Sequence, residues 1–102
     1  MTATQIIKAA PVHFTDDDRQ ILIRAALSFP EGYLMEFERC DNDDEYALLV
    51  PNYPDALACH IVAHTRDGHV AVTDCVSGRT LNTPSLADGI NLIGRLVTME
   101  RA

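Results

Sequence analysis

Two segments of the chain place apolar residues every three or four positions, which is the spacing of an amphipathic helix. In the first segment the apolar stripe consists of Leu22, Ala25, Ala26 and Phe29. Thr15 precedes the stripe as a suitable N-cap, and the aspartates at 16–18 lie where carboxylates meet the positive end of the helix dipole. Because Pro30 and Gly32 disfavour helix, the pattern predicts a helix that begins after Thr15 and ends before Pro30.

The second helical segment lies near the end of the sequence, and its apolar stripe consists of Leu86, Ile90, Ile93, Leu96 and Val97. Ser85 is followed three residues later by Asp88, which resembles a capping box, so this helix is expected to begin near Ser85. Gly89 and Gly94 lie inside the segment. Each glycine either weakens the helix by about 1 kcal/mol relative to alanine or allows it to approach a sheet closely.

Four segments between the helices have the composition of β-strands, and they span residues 33–40, 45–50, 57–65 and 69–76. The first alternates apolar and acidic residues, and the last is rich in valine. Short polar or proline-containing stretches separate the segments, so neighbouring strands are expected to pair antiparallel as a meander. Asp67-Gly68 suits a two-residue type I′ turn between the third and fourth strands.

The chain has 102 residues, 47% of them hydrophobic and 23% charged, which is typical of one globular domain. The element order predicts an α+β fold: a two-layer sandwich of helix, four-stranded antiparallel meander and helix, with both helices on one sheet face. Residues 15–102 form the predicted domain. Residues 1–14 form an N-terminal arm whose apolar side chains pack on the domain or on a partner: Ile6, Ile7, Val12 and Phe14.

A two-residue turn at Asp67-Gly68 fixes which strand residues share a face. In that register His60 lies opposite Cys75, and the sheet face turned away from the helices carries His60, Val62, His64, Arg66, His69, Ala71, Thr73 and Cys75. The face towards the helices carries Cys59, Ile61, Ala63, Val70, Val72 and Val76. The face away from the helices is exposed to water or forms an interface.

This register gathers imidazoles and a thiol, which are preferred zinc ligands. The candidate metal ligands are His60, His64, His69 and Cys75. A structural zinc site needs four ligands, and no pair of neighbouring candidates is joined by two more. The sequence also has no Cys-x-x-Cys or His-Glu-x-x-His motif. A metal-binding module is therefore an alternative hypothesis, beside the simpler interpretation of half-exposed sheet residues. No cofactor is predicted.

Charge is concentrated in the first predicted hairpin. Residues 31–45 hold seven acidic side chains and one arginine, a sum of −6 within a net charge of −7. Such a balance excludes a general nucleic-acid binder, which needs a basic face, and disfavours binding to an anionic membrane. The candidate partner-binding residues are Glu36, Glu38, Asp41, Asp43, Asp44 and Glu45.

These observations predict a small acidic, non-enzymatic protein-binding domain, because the sequence contains no complete catalytic set. In its sharpest form the protein is an inhibitor or immunity-type protein whose acidic hairpin occupies a basic surface of another protein. Two alternative functions remain: a homodimeric assembly protein that uses the open sheet face, and the metal-binding module described above. The simpler interpretation of the acidic hairpin is that its charge only keeps the protein soluble. Three cysteines without a close pair, no membrane span and no signal peptide predict a cytoplasmic protein.

Overall fold

The computed structural model describes residues 11–29, 33–51 and 59–100, with side chains as far as residue 97. The elements in chain order are α1 (Asp16–Ser28), β1 (Tyr33–Arg39), β2 (Glu45–Pro51), β3 (His60–His64), β4 (Val70–Asp74), β5 (Thr80–Thr83) and α2 (Leu86–Glu100). The strands form one antiparallel sheet in the order β1-β2-β3-β4-β5. The predicted α+β class is confirmed, whereas the prediction of four strands is wrong because β5 extends the sheet.

The fifth strand has no apolar pattern of its own, since its sequence is Thr-Leu-Asn-Thr. It forms because a tight turn returns the chain to the edge of β4. In this turn the Gly78 N–H donates to the Asp74 carbonyl oxygen (2.8 Å), and Gly78 adopts a φ of 73°. Thr83 is buried opposite Val70, and its hydroxyl donates to the Val70 carbonyl oxygen (3.0 Å).

The first helix begins where the sequence predicts, at a reciprocal capping box. The Asp18 N–H donates to the Thr15 hydroxyl (3.1 Å), and the Asp18 carboxylate accepts from the Thr15 N–H (3.0 Å). These bonds satisfy two donors that a helix start would otherwise leave without a partner. Positions 30–32, where the sequence predicts the break after α1, lie outside the described residues.

Both helices cover the same face of the sheet. Phe37, Ala47, Val62 and Val72 lie directly opposite one another on successive strands, so they share one face. The guanidinium of Arg19 in α1 lies over the Phe37 ring, 4.6 Å from its centroid. A Cβ atom built on Gly89 in α2 would lie 3.3 Å from Val72 Cγ2. The core between these layers includes the fully buried Leu22, Leu49, Val62, Val70, Ile93 and Val97.

Part of the predicted N-terminal arm is attached to this core. Phe14 is 6% exposed, and its ring lies 5.8 Å from that of Phe37 and 5.3 Å from that of His64, between centroids. The Val12 carbonyl oxygen accepts from the Glu45 N–H at the start of β2 (2.8 Å). Ile6 and Ile7 lie outside the described residues.

The connection between β3 and β4 differs from the sequence prediction. Thr65 pairs with His69 through a backbone hydrogen bond (2.9 Å), which leaves a loop of three residues at 66–68 with Gly68 at a φ of 88°. A three-residue loop of this kind places its glycine in the left-handed region and shifts the register by one residue. The predicted pairing of His60 with Cys75 is therefore wrong, and His60 pairs with Asp74.

The shift exchanges the two faces of β3 and leaves β4 as predicted. His60, Val62 and His64 now face the helices, opposite Asp74, Val72 and Val70. Ile61, Ala63 and Cys59 share the other face with Thr73, Ala71 and Cys75. The sheet face turned away from the helices is therefore more apolar than the sequence analysis predicted.

Candidate functional site

The sheet face turned away from the helices, here called the outer face, consists of residues at alternate positions on the strands. Its central row, from β1 to β5, contains Glu36, Leu48, Ile61, Thr73 and Thr80. Towards the β3–β4 loop lie Glu38, Tyr46, Ala63, Ala71 and Asn82. Towards the opposite end of the strands lie Leu34, Val50, Cys59 and Cys75.

The outer face has an apolar centre between two polar edges. Leu48, Val50 and Ile61 are half-buried by their neighbours, while Leu34 on the edge strand is 58% exposed. Glu36 and Glu38 form an acidic edge on β1. At the opposite edge the hydroxyls of Thr73 and Thr80 lie 2.8 Å apart. An apolar centre with a polar rim is the usual anatomy of a protein-binding surface.

The structure divides the six predicted partner-binding residues into three groups. Glu36 and Glu38 project from β1 on the outer face. Asp41 and Asp43 are exposed in the turn that joins β1 to β2, where Asp43 adopts a φ of 68°. Asp44 and Glu45, in contrast, make hydrogen bonds and ion pairs within the domain.

Glu45 is buried (5% exposed) beneath the segment that precedes α1. Its carboxylate accepts from the Phe14 N–H (2.8 Å) and forms an ion pair with Arg19. Burial opposes ionisation of Glu45, but these hydrogen bonds and the positive charge of Arg19 outweigh it and hold the pKa of Glu45 below its usual value. The carboxylate therefore stabilises the fold and is not exposed to a partner.

Asp44 has a similar internal role nearer the surface. Both of its oxygens accept from the Arg66 guanidinium, at 2.9 and 3.0 Å, and one also accepts from the Val12 N–H at 2.9 Å. The hydrogen bonds from Arg66 and then from Val12 lower the pKa of Asp44. Arg66 compensates the charge of Asp44. Among the described residues of this hairpin, the acidic side chains without an ion pair are therefore Glu36, Glu38, Asp41 and Asp43.

The four predicted metal ligands do not converge. His60 is fully buried on the helix-facing side of the sheet, whereas Cys75 lies on the outer face. His64 Nε2 lies 3.0 Å from the Asp18 carboxylate, and His69 Nδ1 lies 3.2 Å from the Asp67 carboxylate. Across residues 11–29, 33–51 and 59–100, no group of three or more His, Cys, Asp and Glu side chains is placed to hold a metal ion.

Asp18 links the capping box of α1 to the sheet. Burial raises the pKa of Asp18, but the Thr15 N–H and the hydrogen bond to His64 outweigh this effect, so its pKa lies below the ordinary value. His64 is thereby fixed between α1 and the Phe14 ring. Its role is structural, as a tie between the helix layer and β3.

The structure brings together a pair of thiols that the sequence analysis separated. The Cys75 N–H donates to the Cys59 carbonyl oxygen (3.1 Å), so these two cysteines lie opposite each other on the outer face. Burial, a hydrogen bond with Cys59 and the charge of Cys59 raise the pKa of Cys75 to about 12. The feature of the sequence that could have predicted this pair is Arg66-Asp67-Gly68. Interpreted as a three-residue loop with a left-handed glycine at its third position, it aligns Cys59 with Cys75.

Comparison of the chain with family models, with curated protein sequences and with solved structures gives no match. Among the described residues, neither helix is long and apolar enough to cross a membrane. The geometry and the charge of the surfaces described above are therefore the basis on which a function can be proposed.

Proposed function

We propose that this protein is a non-enzymatic protein-binding domain, and that its outer face binds a partner surface with an apolar centre and basic side chains beside it. The observation that carries the proposal is the row Glu36, Leu48 and Ile61, in which an acidic edge adjoins apolar side chains. Burial of the apolar residues would supply affinity. Glu36 and Glu38 would steer a basic partner towards this face.

The proposal narrows the acidic recognition surface from six residues to the two on the outer face. Asp44 and Glu45 already have cationic partners in Arg66 and Arg19, and a second cation would have to displace them. Asp41 and Asp43 lie in the β1–β2 turn, beyond the ends of the strands. If the basic partner is an enzyme, the protein would act as an inhibitor or immunity-type protein.

A second copy of the chain is the competing occupant of the outer face. Each chain carries a net charge of −7, so the association of two copies brings like charges together, whereas a basic partner relieves that repulsion. Charge complementarity therefore favours a different, basic protein over a homodimer.

The test begins with a photo-activatable crosslinking amino acid at Thr73 on the outer face, and with the same amino acid at Ile23 on α1 as the control. Both positions carry side chains that are at least partly exposed. Crosslinking in a lysate of the source cells at low salt should give one partner from position 73 and none from position 23. A crosslink from position 73 to the chain itself would instead support the homodimer.

The second step measures affinity for the purified partner with matched charge reversals. E36K/E38K on the outer face should weaken binding by about tenfold or more at low salt, and by less as salt screens the charges. D41K/D43K changes the net charge by the same amount in the β1–β2 turn and should have a much smaller effect. Equal losses in the two variants, with both still folded by circular dichroism, would contradict recognition through the outer face.

A further inference from the structure

Cys59 and Cys75 lie close to the placement that a cross-strand disulfide requires. They are directly opposed at the end of the β3–β4 hairpin, and the backbone hydrogen bond between them is 3.1 Å long. Directly opposed, hydrogen-bonded residues of antiparallel strands have Cα atoms about 5.5 Å apart, which lies within the range that disulfides span. Their Cβ atoms, about 5.5 Å apart in hydrogen-bonded pairs, need to approach by about 1 to 2 Å.

The hairpin holds the backbone on one side of the pair, and the next turn holds the chain that follows Cys75. Pairing continues from His60 and Asp74 towards the Thr65–His69 hydrogen bond at the other end of the hairpin. On the far side, the Val76 N–H donates to the Asp74 carboxylate (2.9 Å). The two thiols are therefore held opposite each other before any oxidation takes place.

We propose that Cys59 and Cys75 are a reversible redox site, which closes to an intramolecular disulfide by exchange with a small-molecule disulfide such as oxidised glutathione. This inference is independent of the proposed function, because it concerns the isolated chain. It adds a modification site at one end of the outer face.

The exchange proceeds in two balanced steps. The Cys59 thiolate attacks one sulfur of the small disulfide, which forms a mixed disulfide on Cys59 and releases one small thiol. The Cys75 sulfur then loses its proton and attacks Cys59 Sγ, which forms the intramolecular bond and releases the second small thiol. The two protein thiols are oxidised, the small disulfide is reduced, and the two protons leave on the released thiols.

The order of these steps follows from the environment of Cys75. Burial, the largest cause, raises the pKa of Cys75 and disfavours its thiolate, so we assign Cys75 as the resolving cysteine and Cys59 as the first nucleophile. Once the mixed disulfide has formed on Cys59, the charge of Cys59 no longer raises the pKa of Cys75, whereas burial and the charge of Asp74 still do.

The third cysteine cannot replace either member of the pair. Cys40 is exposed just after β1, six residues along from Leu34, whose row lies at the Cys59–Cys75 end of the sheet. At the rise of an extended strand this separation is about 20 Å. Cys40 can therefore be replaced without affecting the Cys59–Cys75 pair. Its replacement prevents disulfides between chains through its exposed thiol.

The experiment uses the full chain with Cys40→Ala, equilibrated in mixtures of oxidised and reduced glutathione and then alkylated in acid-quenched samples. The expected product has lost two hydrogens and carries no glutathione by intact mass. Trypsin cleaves after Arg66, so the disulfide should link the peptide of residues 40–66 to the peptide of residues 67–79. The intact mass and the linked peptides are measured on a protein that keeps both Cys59 and Cys75, so the result does not depend on whether a variant of either cysteine folds.

Matched variants with Cys59→Ser or Cys75→Ser in the same background should stop at a mixed disulfide with glutathione. The paired thiols should oxidise at glutathione mixtures at least about tenfold more reducing than those that modify either single-cysteine variant. Glutathione that accumulates on both cysteines of the paired protein, or a disulfide between chains in place of the internal one, would overturn the inference.

Discussion

Glu45 lies at the first residue of β2 and connects three parts of the chain. Its backbone N–H donates to Val12, its carboxylate accepts from the Phe14 N–H, and the same carboxylate pairs with Arg19 of α1. A buried carboxylate is costly unless donors and a cation surround it, and both are present here. Glu45 therefore stabilises the fold by linking these three parts of the chain, although in the sequence it belongs to a run of acidic residues that looks exposed to solvent.

Replacing Glu45 with alanine should lower the free energy of unfolding by about 2 kcal/mol, because the Phe14 N–H and Arg19 both lose their acceptor. Glu45→Gln keeps an acceptor for the Phe14 N–H and should cost about half as much. Urea titration followed by circular dichroism gives these values. The control is Asp41→Ala in the exposed turn, which should change stability little, and an equal loss in that variant would contradict the structural role of Glu45.

The same variants have a signature in acid. The pKa of Glu45 in the folded chain lies below the unfolded value of 4.5, so its contribution is complete above about pH 4.5 and is lost as the pH falls through the folded pKa. The stability of the natural chain should decrease over this range, and that of Glu45→Gln should decrease less. Asp18 and Asp44, whose pKa values are also lowered, should preserve part of the decrease in the variant.

Among the elements, α2 shows two glycines with opposite roles. A Cβ on Gly89 would lie 3.3 Å from side-chain atoms of Thr83, Val70 and Val72, on the two strands beneath the helix. Thr83 is itself held by its hydrogen bond to the Val70 carbonyl oxygen, so these atoms have little freedom to move. A Cβ on Gly94 would have its nearest neighbour at an ordinary contact distance, 3.6 Å from Phe29 Cε1.

Gly94→Ala should therefore stabilise the protein by up to about 1 kcal/mol through helix propensity. Gly89→Ala gains the same propensity but should destabilise the protein by about 1 kcal/mol or more, because α2 must move away from β4 and β5. Thermal unfolding of the two single variants checks the sign of each change. An increase in Tm for both would show that α2 does not pack closely on the sheet at Gly89.

The sequence predicts those elements that have a strong local signal. The N-cap at Thr15, the capping box at Ser85 and the two apolar stripes indicate both helices, and alternation or valine content indicates β1 to β4. The sequence does not predict β5, because Thr80–Thr83 contains one apolar residue and forms a strand only by pairing with β4. Residues 57–58 of the predicted third strand lie outside the described residues.

The length of the β3–β4 loop decides which residues lie on each face of the sheet. The dipeptide Asp67-Gly68 predicts a two-residue turn, but the backbone pairing of Thr65 with His69 makes Arg66 part of the loop. This one-residue difference moves His60 into the core and brings Cys59 opposite Cys75. Side-chain alternation cannot resolve the choice, because both faces of β3 contain apolar residues and the rest of the sheet decides which is covered.

On the scale of the whole molecule, ion pairs divide the acidic charge between the interior of the fold and its surface. The first hairpin has a formal sum of −6 over residues 31–45, but Arg19 and Arg66 from other parts of the chain compensate Glu45 and Asp44. Charge summed along the sequence therefore overstates the acidic surface that a partner would meet. Glu36 and Glu38 remain beside the apolar outer face, which is why the proposed recognition site is there.

The extent of the folded unit is also a property of the whole molecule. The predicted domain of residues 15–102 leaves out Phe14, which lies in the core, and Val12, whose backbone makes hydrogen bonds to Glu45 and Asp44. Together with the ring contacts of Phe14 to Phe37 and His64, these hydrogen bonds join β1, β2 and β3 to the short segment that leads into α1. A chain that begins at residue 15 loses all of them.

We expect a chain that begins at Thr15 to be less stable than one that begins at Pro11 by about 3 kcal/mol or more. Loss of the Phe14 side chain from the core alone costs about that much, and the Glu45 and Asp44 carboxylates also lose backbone donors. Urea unfolding of the two chains measures the difference, and Phe14→Ala in the full chain separates the packing contribution from that of the hydrogen bonds. Equal stability of the two shortened chains would place the domain boundary at residue 15. It would also show that residues 12–14 contribute nothing to the free energy of unfolding.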